Sequence, residues 1–218
     1  MALVQPDPER SPAGTMKLVG GDPCLDFVNT VGGRIPVAYG PGTRVQDDKL
    51  GSYQDLVDFA VHRGLVPEAA AGRLARLGRA RPGAARAALG RALGLREALH
   101  RTLRALMTGR RPDTGDLVLI NREVAACRRH EALAARGQRL QWEWRAAALE
   151  APLWAAARAS EALLTSRELP RLRECGGGGC GWLFLDHSRN GRRRWCSMED
   201  CGNLEKVRRF RRRHARQL

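Results

Sequence analysis

Four of the six cysteines form two pairs with the same spacing near the C-terminus, and this pattern constrains the chain more than any other feature. Four residues separate Cys175 from Cys180, and four separate Cys196 from Cys201. Each tight turn would present two thiolates on one side, and the intervening loop would close a tetrahedron with Zn–S distances of about 2.3 Å. Because four thiolates leave no position for water, we predict one structural Zn²⁺ ion here. We expect its removal to unfold this segment, which lacks a large core.

Other uses of the cysteines are less favoured. Two disulfide bonds are disfavoured in an intracellular setting, and paired knuckles are less typical of an iron–sulfur cluster. Cys24 and Cys127 lie alone in apolar helical contexts, where we expect small buried side chains. Residues 1–14 do not resemble a signal peptide, and no apolar run approaches the roughly 18 to 20 residues of a bilayer span. We therefore expect a cytoplasmic protein with no membrane partner.

The net charge of +15 and the pI near 11.0 ordinarily indicate a polyanionic partner. Composition weakens this inference, because nearly all of the 38 basic residues are arginine and the bias is typical of G+C-rich coding sequences. Position is more informative, since residues 189–218 carry 11 basic and 3 acidic side chains. The charge therefore points to the C-terminal segment.

Residues 17–166 have the pattern of a helical domain, whereas residues 1–16 lack periodicity and are predicted to be a flexible N-terminal tail. Asp22 before Pro23 is typical of a helix start, and Ser52 with Asp55 resembles a capping box. Apolar periodicity predicts helices over Pro23–Val31, 52–63, Pro67–Arg79, Ala84–Met107, a segment opened by Asp113 and Asp116, and Leu149–Thr165. Leu140, Trp142 and Trp144 alternate with polar residues as a short strand, and we expect Trp142, Trp144 and Trp154 to lie in the core.

Residues 167–218 are predicted to form a small zinc-stabilised module. Trp182–Asp186 and Arg192–Trp195 would be strands joined by an Asn190-Gly191 turn. Gly202 would be left-handed and Asn203 would cap a basic helix running to about Arg216, with Leu204, Val207 and Phe210 as its apolar stripe. The predicted fold class is therefore mainly α: a helical N-terminal domain with a short β element, plus a C-terminal zinc-stabilised β-hairpin and helix.

Two segments resemble known families. Residues 180–198, with Cys-Gly-Asn at 201–203, resemble the CGNR zinc finger, and Gly-Gly-Asp-Pro-Cys-Leu-Asp-Phe-Val-Asn-Thr at 20–30 resembles the ABATE domain that usually precedes it. The resemblance implies a bacterial protein with a helical N-terminal domain, a zinc module and the role of a stress-related transcriptional regulator. The sequence departs from the family at two places: the signature arginine is replaced by Leu204, and the first knuckle is all glycine over 176–179.

The basic module predicts binding to double-stranded DNA, with some side chains on phosphates and others reaching base edges. The candidate contact residues are Arg189, Asn190, Arg192, Arg193, Arg194, Asn203, Lys206, Arg208, Arg209, Arg211 and Arg212. Because one module buries only about 600 to 1,000 Å² on DNA, useful specificity would require a homodimer, for which we expect the N-terminal helices to form the interface.

Other functions remain open at this point. The module could hold a hairpin and helix against an acidic protein partner, or its thiolates beside arginines could respond to oxidants. Asp26, Asn29, Thr30 and Arg34 could line a pocket for an unknown small-molecule effector, although such residues more often fix the loop that follows. No Ser-His-Asp set, phosphate-binding loop or dinucleotide fingerprint is present, so we expect no enzymatic activity.

Overall fold

Helices dominate the computed structural model, which describes residues 11–36, 43–44, 47–144 and 148–214. The helices are α1 (Pro12–Thr15), α2 (Pro23–Val28), α3 (Tyr53–His62), α4 (Glu68–Ala80), α5 (Pro82–Met107), α6 (Thr114–His130), α7 (Ala151–Leu164) and α8 (Asn203–His214), with a 3-10 turn at Leu169–Arg171 and a π-helix at Met198–Gly202. The strands are β1 (Val31–Gly32), β2 (Ile35–Pro36), β3 (Thr43–Arg44), β4 (Asp47–Asp48), β5 (Glu131–Arg136), β6 (Arg139–Trp144), β7 (Leu172–Glu174) and β8 (Leu183–Leu185). They pair antiparallel as β1-β4, β2-β3, β5-β6 and β7-β8. The predicted mainly α fold class is confirmed; the predicted helix end near Arg216 lies outside the described residues.

Local capping signals set the starts of two helices. The Asp22 carboxylate accepts a 2.8 Å hydrogen bond from the Cys24 N–H at the start of α2. Ser52 and Asp55 form both halves of a capping box at the start of α3. Because Val31 pairs with Asp48 in the β1-β4 ladder, α2 ends before the predicted Val31.

The segment that follows residue 10 packs on the domain. Helix α1 lies against α3, and Ala13 and Met16 are buried. The His62 ring Nε2 lies 2.8 Å from the Met16 carbonyl oxygen. The prediction of a flexible tail is therefore wrong for residues 11–16, because two apolar side chains are sufficient to dock one helical turn. Residues 1–10 lie outside the described part of the chain.

The long helix α5 organises the core. It contacts α2, α3, α4, α6 and α7, and its buried face is made mainly of alanine and leucine, as a chain with 5% aromatic residues requires. Although α5 has 26 residues, charged side chains interrupt it, and no helix in the described ranges is both long and apolar enough to cross a membrane.

The β5-β6 hairpin corrects the prediction for one tryptophan. Trp154 of α7 is buried and stacks on the His130 ring at 4.3 Å, and Trp144 is half-buried against the core. Trp142 is 51% exposed and Leu140 is 70% exposed, so the prediction that Trp142 is a core residue is wrong. Trp142 pairs with Leu133 nearer the hairpin tip, and the Arg158 guanidinium of α7 lies over its ring, 5.5 Å from the centroid, so Trp142 packs on the outer surface of α7.

The strand pairing near the cysteines also differs from the prediction. Strand β8 pairs with β7 across the first knuckle, with Leu172 opposite Leu185. Gly191 has φ of 60°, so the Asn190-Gly191 turn forms, but 192–195 is not a strand. The predicted hairpin is wrong because this returning segment bonds elsewhere: the Arg194 carbonyl accepts from the Gly176 N–H at 2.8 Å.

The C-terminal module shares its core with the helical domain. Leu172, Leu183 and Leu185, from the β7-β8 pair, belong to the same hydrophobic cluster as α2, α3, α5 and α7. The Trp182 indole N–H donates to the Val31 carbonyl at 2.9 Å, and the Leu185 N–H donates to the Gly20 carbonyl at 2.9 Å. The module is therefore held against the N-terminal segment by hydrogen bonds as well as by the shared core.

Candidate zinc centre and basic surface

The four predicted cysteines converge on one point. Their Sγ atoms all lie within 4.8 Å of one another, and both Cys180 to Cys196 and Cys196 to Cys201 are 3.7 Å apart. A tetrahedron with Zn–S distances of about 2.3 Å has an edge of about 3.8 Å, whereas a disulfide bond is about 2.05 Å long. All four thiols are free in this structure, so the disulfide alternative is wrong. The geometry fits one zinc ion held by Cys175, Cys180, Cys196 and Cys201.

Each knuckle is built by a different local structure. Cys175 follows β7 directly, and Cys180 lies two residues before Trp182, which precedes β8, so the first pair lies in the loop that joins the two strands. Cys196 lies two residues before the π-helix and Cys201 lies within it, and the first turn of this helix is capped by Ser197, which accepts from the Asp200 N–H. Main-chain N–H groups of Gly177 and Cys196 point at the Cys175 sulfur, at 3.5 and 3.3 Å. Such donors stabilise a thiolate.

The glycine-only first knuckle has steric reasons. A Cβ at Gly177 would lie 3.1 Å from the Cys201 Cβ and 3.2 Å from its Sγ, closer than nearly all real contacts. Gly179 has φ of 84°, a conformation that side chains rarely adopt. The departure from the family pattern therefore suits a knuckle that closes tightly on the second pair.

The thiol pKa values indicate how many of the four cysteines are ionised in the absence of a cation. The pKa of Cys175 is lowered to about 2 because Cys180 and Cys196 donate S–H hydrogen bonds to it. Cys180 and Cys196 have raised pKa values because their S–H groups donate to Cys175. Burial raises the pKa of Cys201. Without a cation the cluster therefore favours a single thiolate, and a divalent ion would bring all four sulfurs to the ionised state.

Aromatic side chains cover the zinc centre as predicted, but one arginine has an unexpected place. Phe184 is fully buried with Cys175 and Cys196, and Trp182 and Trp195 pack around them. The Arg193 guanidinium lies 4.4 Å from the Phe184 ring centroid and donates to the Trp195 carbonyl at 2.9 Å and to the Cys196 carbonyl. Arg193, predicted as a DNA contact, is thus half-buried in the support of the second knuckle.

The other predicted turn residues are exposed. Arg189, Asn190, Arg192 and Arg194 all lie on the surface of the 186–195 loop. Asp186 holds this loop, because its carboxylate accepts from the Ser188 and Arg193 N–H groups, both at 2.9 Å. The loop therefore presents three guanidinium groups to solvent on a fixed base.

Helix α8 projects from the second knuckle and carries the remaining predicted contacts. Gly202 does not have positive φ, and Asn203 has helical dihedral angles, so the predicted left-handed Gly202 and N-cap Asn203 are wrong. The chain enters α8 directly from the π-helix, and the Asn203 side-chain amide donates to the Glu199 carbonyl. Leu204 is 51% exposed on the same stripe as Val207 and Phe210.

The cations of α8 fall into two sets. Arg208 and Arg212 lie near Glu205, at 3.8 and 2.8 Å, and Arg208 also donates to the Gly178 carbonyl of the first knuckle. Lys206, Arg209 and Arg211 are exposed, and within the described ranges no carboxylate pairs with them. Of the α8 cations whose side chains the structure describes, these three are the most available to a polyanion.

The residues predicted to line a ligand pocket are brought together, but as an internal network. Asp26 accepts from the Gly20 N–H and from Arg63, and Thr30 accepts from Arg96 at 3.1 Å. All four predicted residues are buried, and Arg34 pairs with Glu97. Their present partners are protein groups that fix the segment after α2, and effector binding there stays a prediction.

One of these residues has a role that the sequence did not reveal. The Asn29 side-chain amide donates to the Leu183 carbonyl at 2.8 Å, and its oxygen accepts from the Leu183 N–H at 2.9 Å. Asn29 thus behaves like a neighbouring strand on the outer edge of β8. The sequence signal for this contact was the family resemblance. Asn29 and Leu183 lie in the two segments that carry the resemblance, 20–30 and 180–198, and these segments contact each other.

The fold and the site define a class: a mainly helical domain whose C-terminal segment is a four-cysteine zinc finger. A family model described as "CGNR zinc finger" matches residues 171–214, and the ABATE model, described as "Putative stress-induced transcription regulator", matches residues 21–167. The chain belongs to the ABATE family and carries the CGNR zinc finger. No curated protein matches it.

Proposed function

We propose that the protein is a zinc-containing transcription regulator of the bacterial cytoplasm that binds double-stranded DNA through its C-terminal module. The observation that carries the proposal is the surface around the zinc centre. Exposed cations of the 186–195 loop and of α8 extend from the same four-cysteine scaffold. Zinc would hold the loop and the start of α8 in one orientation, and a fixed array of cations suits a polyanion of regular shape.

The electrostatics favour this proposal. Residues 189–218 carry 11 basic and 3 acidic side chains, and four thiolates around Zn²⁺ contribute about −2. The balance stays positive by about 6 charges, which is enough to attract DNA over several ångströms at physiological salt. Lys206, Arg209 and Arg211 would make phosphate contacts. Leu204 supplies no cation where relatives have arginine, so the neighbouring basic residues would carry the contact.

A titration against fluorescent duplex DNA at several salt concentrations tests the proposal. We expect micromolar or tighter binding that weakens steeply with salt, and no binding at about 50 mM salt would reject the proposal. Neutralising K206Q, R209Q and R211Q together should lower the log–log salt slope by up to about 3, since each phosphate contact contributes about 0.9.

The matched control removes the same charge elsewhere. Arg73, Arg76 and Arg79 are exposed on α4, far along the chain from the zinc centre. The triple variant R73Q, R76Q and R79Q should keep the wild-type slope. An equal loss in both triple variants would show that total charge, not the C-terminal surface, determines binding. Sequence preference requires a further result, namely competitor duplexes whose affinities differ by well over tenfold.

Specific binding would be strengthened by a homodimer. The exposed Leu133, Leu140 and Trp142 lie on one face of the β5-β6 hairpin, with Leu133 opposite Trp142. This face supports a dimer contact through the hairpin in addition to the helices predicted from the sequence. Light scattering should give a dimer mass for the wild type and a monomer mass for L140K, which leaves the core unchanged.

A protein-interaction role is the second candidate. Leu204, Val207 and Phe210 form an exposed apolar stripe on α8, which contacts little of the described chain beyond the π-helix. An apolar stripe flanked by cations suits an acidic protein surface. If this role replaces DNA binding, neither the wild type nor the V207S, F210S double variant should bind duplex DNA. In a pull-down after nuclease treatment, the wild type should retain its protein partner and the double variant should lose it.

A further inference from the structure

A cavity of about 340 Å³ lies between α5 and the start of α6, and its lining includes no zinc ligand and no residue of the 186–195 loop. This volume is at the lower end of the range of ligand pockets, about 300 to 1,000 Å³. Its lining includes four arginines and two aspartates, together with one histidine: Arg101, Arg104, Arg110, Arg111, Asp113, Asp116 and His100. The positive excess favours an anionic occupant.

Both aspartates are already used by the protein. Asp116 accepts from Arg101 through both carboxylate oxygens, and Asp113 caps α6 by accepting from the Asp116 N–H at 3.1 Å. Arg110 and Arg111 are exposed, and no carboxylate of the described residues forms an ion pair with either of them. The cavity therefore keeps cationic groups that internal ion pairs do not neutralise.

Two buried donors in the lining lack hydrogen-bond partners. The Arg104 Nε–H lies 3.2 Å from a Glu174 oxygen, close enough for an ion pair but at an angle that makes no hydrogen bond. His100 is 5% exposed, and its Nε2 has no partner among the described groups. Burial lowers the pKa of His100 to about 3, so the imidazole is neutral and can donate one N–H. Buried polar groups without partners are uncommon and costly.

We propose that this cavity is a binding site for a small oxyanion bearing carboxylate or phosphate groups, which Arg104, Arg110 and Arg111 hold by charge-assisted hydrogen bonds and His100 completes from the buried side. The inference does not rest on DNA binding. The ion pair between Arg104 and Glu174 connects this site to the zinc centre, because Glu174 directly precedes the ligand Cys175. An anion that takes the Arg104 guanidinium competes with Glu174 for it.

The link makes opposite predictions for two variants. Arg104→Gln removes a cation from the site and should weaken anion binding at least tenfold. Glu174→Gln removes the competitor and should strengthen binding several-fold. Arg110→Gln with Arg111→Gln provides an independent loss, because both side chains are exposed and the fold does not depend on them.

Isothermal titration calorimetry of the full zinc-loaded chain with inorganic phosphate and, separately, with succinate tests the proposal and identifies the preferred oxyanion. We expect one site of submillimolar affinity for at least one probe, lost in the Arg104 and Arg110/Arg111 variants and kept in the surface control Arg79→Gln. Failure of both probes to saturate the wild type below about 10 mM, or equal binding by wild type and Arg110/Arg111 variant, would overturn the site. Unchanged affinity in Glu174→Gln would overturn the competition.

Discussion

Asn29→Ala should destabilise the helical domain and the zinc finger together. The Asn29 side chain is 1% exposed and makes two hydrogen bonds, of 2.8 and 2.9 Å, to the backbone of Leu183. Alanine would leave a buried N–H and a buried carbonyl without partners, and each costs about 1 to 3 kcal/mol. Allowing for partial hydration of the space, we expect a loss of about 3 kcal/mol in the free energy of unfolding.

Because Leu183 lies in the shared core and three residues after Cys180, the loss should appear in both modules at once. For a chain of this size, 3 kcal/mol corresponds to a fall of about 6 to 12 °C in the melting temperature. Denaturant unfolding followed by circular dichroism, with a metallochromic dye reporting zinc release, should show both signals shifted to the same lower midpoint.

The matched control is Asn121→Ala, because Asn121 is an exposed asparagine on α6. It should change the free energy of unfolding by less than about 0.5 kcal/mol. If Asn29→Ala shifted only zinc release, with the helical signal unchanged, the two modules would unfold independently and the argument for a shared core would fail. A change below about 1 kcal/mol would show that water replaces both hydrogen bonds without cost.

Three further outcomes are expected. Gly177→Ala should weaken zinc binding in a chelator competition, because the added Cβ would press on Cys201. Equal zinc affinity in the wild type and in Gly177→Ala would contradict this steric explanation. Gly90→Ala, at an exposed helical position with open space around it, should instead raise the free energy of unfolding by about 0.5 to 1 kcal/mol. Burial first, then Arg34, and further Arg101 and Arg104 lower the pKa of His100 to about 3, against the opposing Glu97. The unfolded chain therefore binds the extra proton between about pH 6.5 and 3. Stability should decrease by up to about 1.4 kcal/mol for each unit by which the pH is lowered across that window, and His100→Gln should flatten the slope measured by urea unfolding at each pH. Chelation of zinc should lower the melting temperature of the whole chain, because the two modules share one core. A melting temperature of the helical signal that is the same with and without chelator would indicate that the zinc finger unfolds independently.

Features set by neighbouring residues were predictable from the sequence. The capping box at Ser52 and the start of α2 at Asp22 depend on contacts within three residues, and both form as the pattern indicates. The zinc ligands were equally accessible, because equal spacing within each cysteine pair defines a knuckle without knowledge of the rest of the fold.

Features set by distant partners were not predictable. The Asn190-Gly191 turn favours a local hairpin, yet β8 pairs with β7 and has its outer edge satisfied by Asn29, 154 residues away. Charge alone predicted Arg193 as a DNA contact and gave no sign that its guanidinium, half-buried, packs on the Phe184 ring and donates to two carbonyl groups. Alternation placed Trp142 in the core, but whether a hairpin face is covered depends on elements that its own sequence does not contain.

The hydrogen bonds from Asn29 to Leu183 impose an order on biosynthesis. While the nascent chain is still on the ribosome, the segment after α2 has no β8 to bind, and the helical domain lacks three leucines of its interior. Metal acquisition and completion of that interior therefore coincide, after the last fifth of the polypeptide has emerged. A gene truncated between the two family regions would yield helices with an open apolar cleft, prone to aggregate, instead of a smaller functional protein.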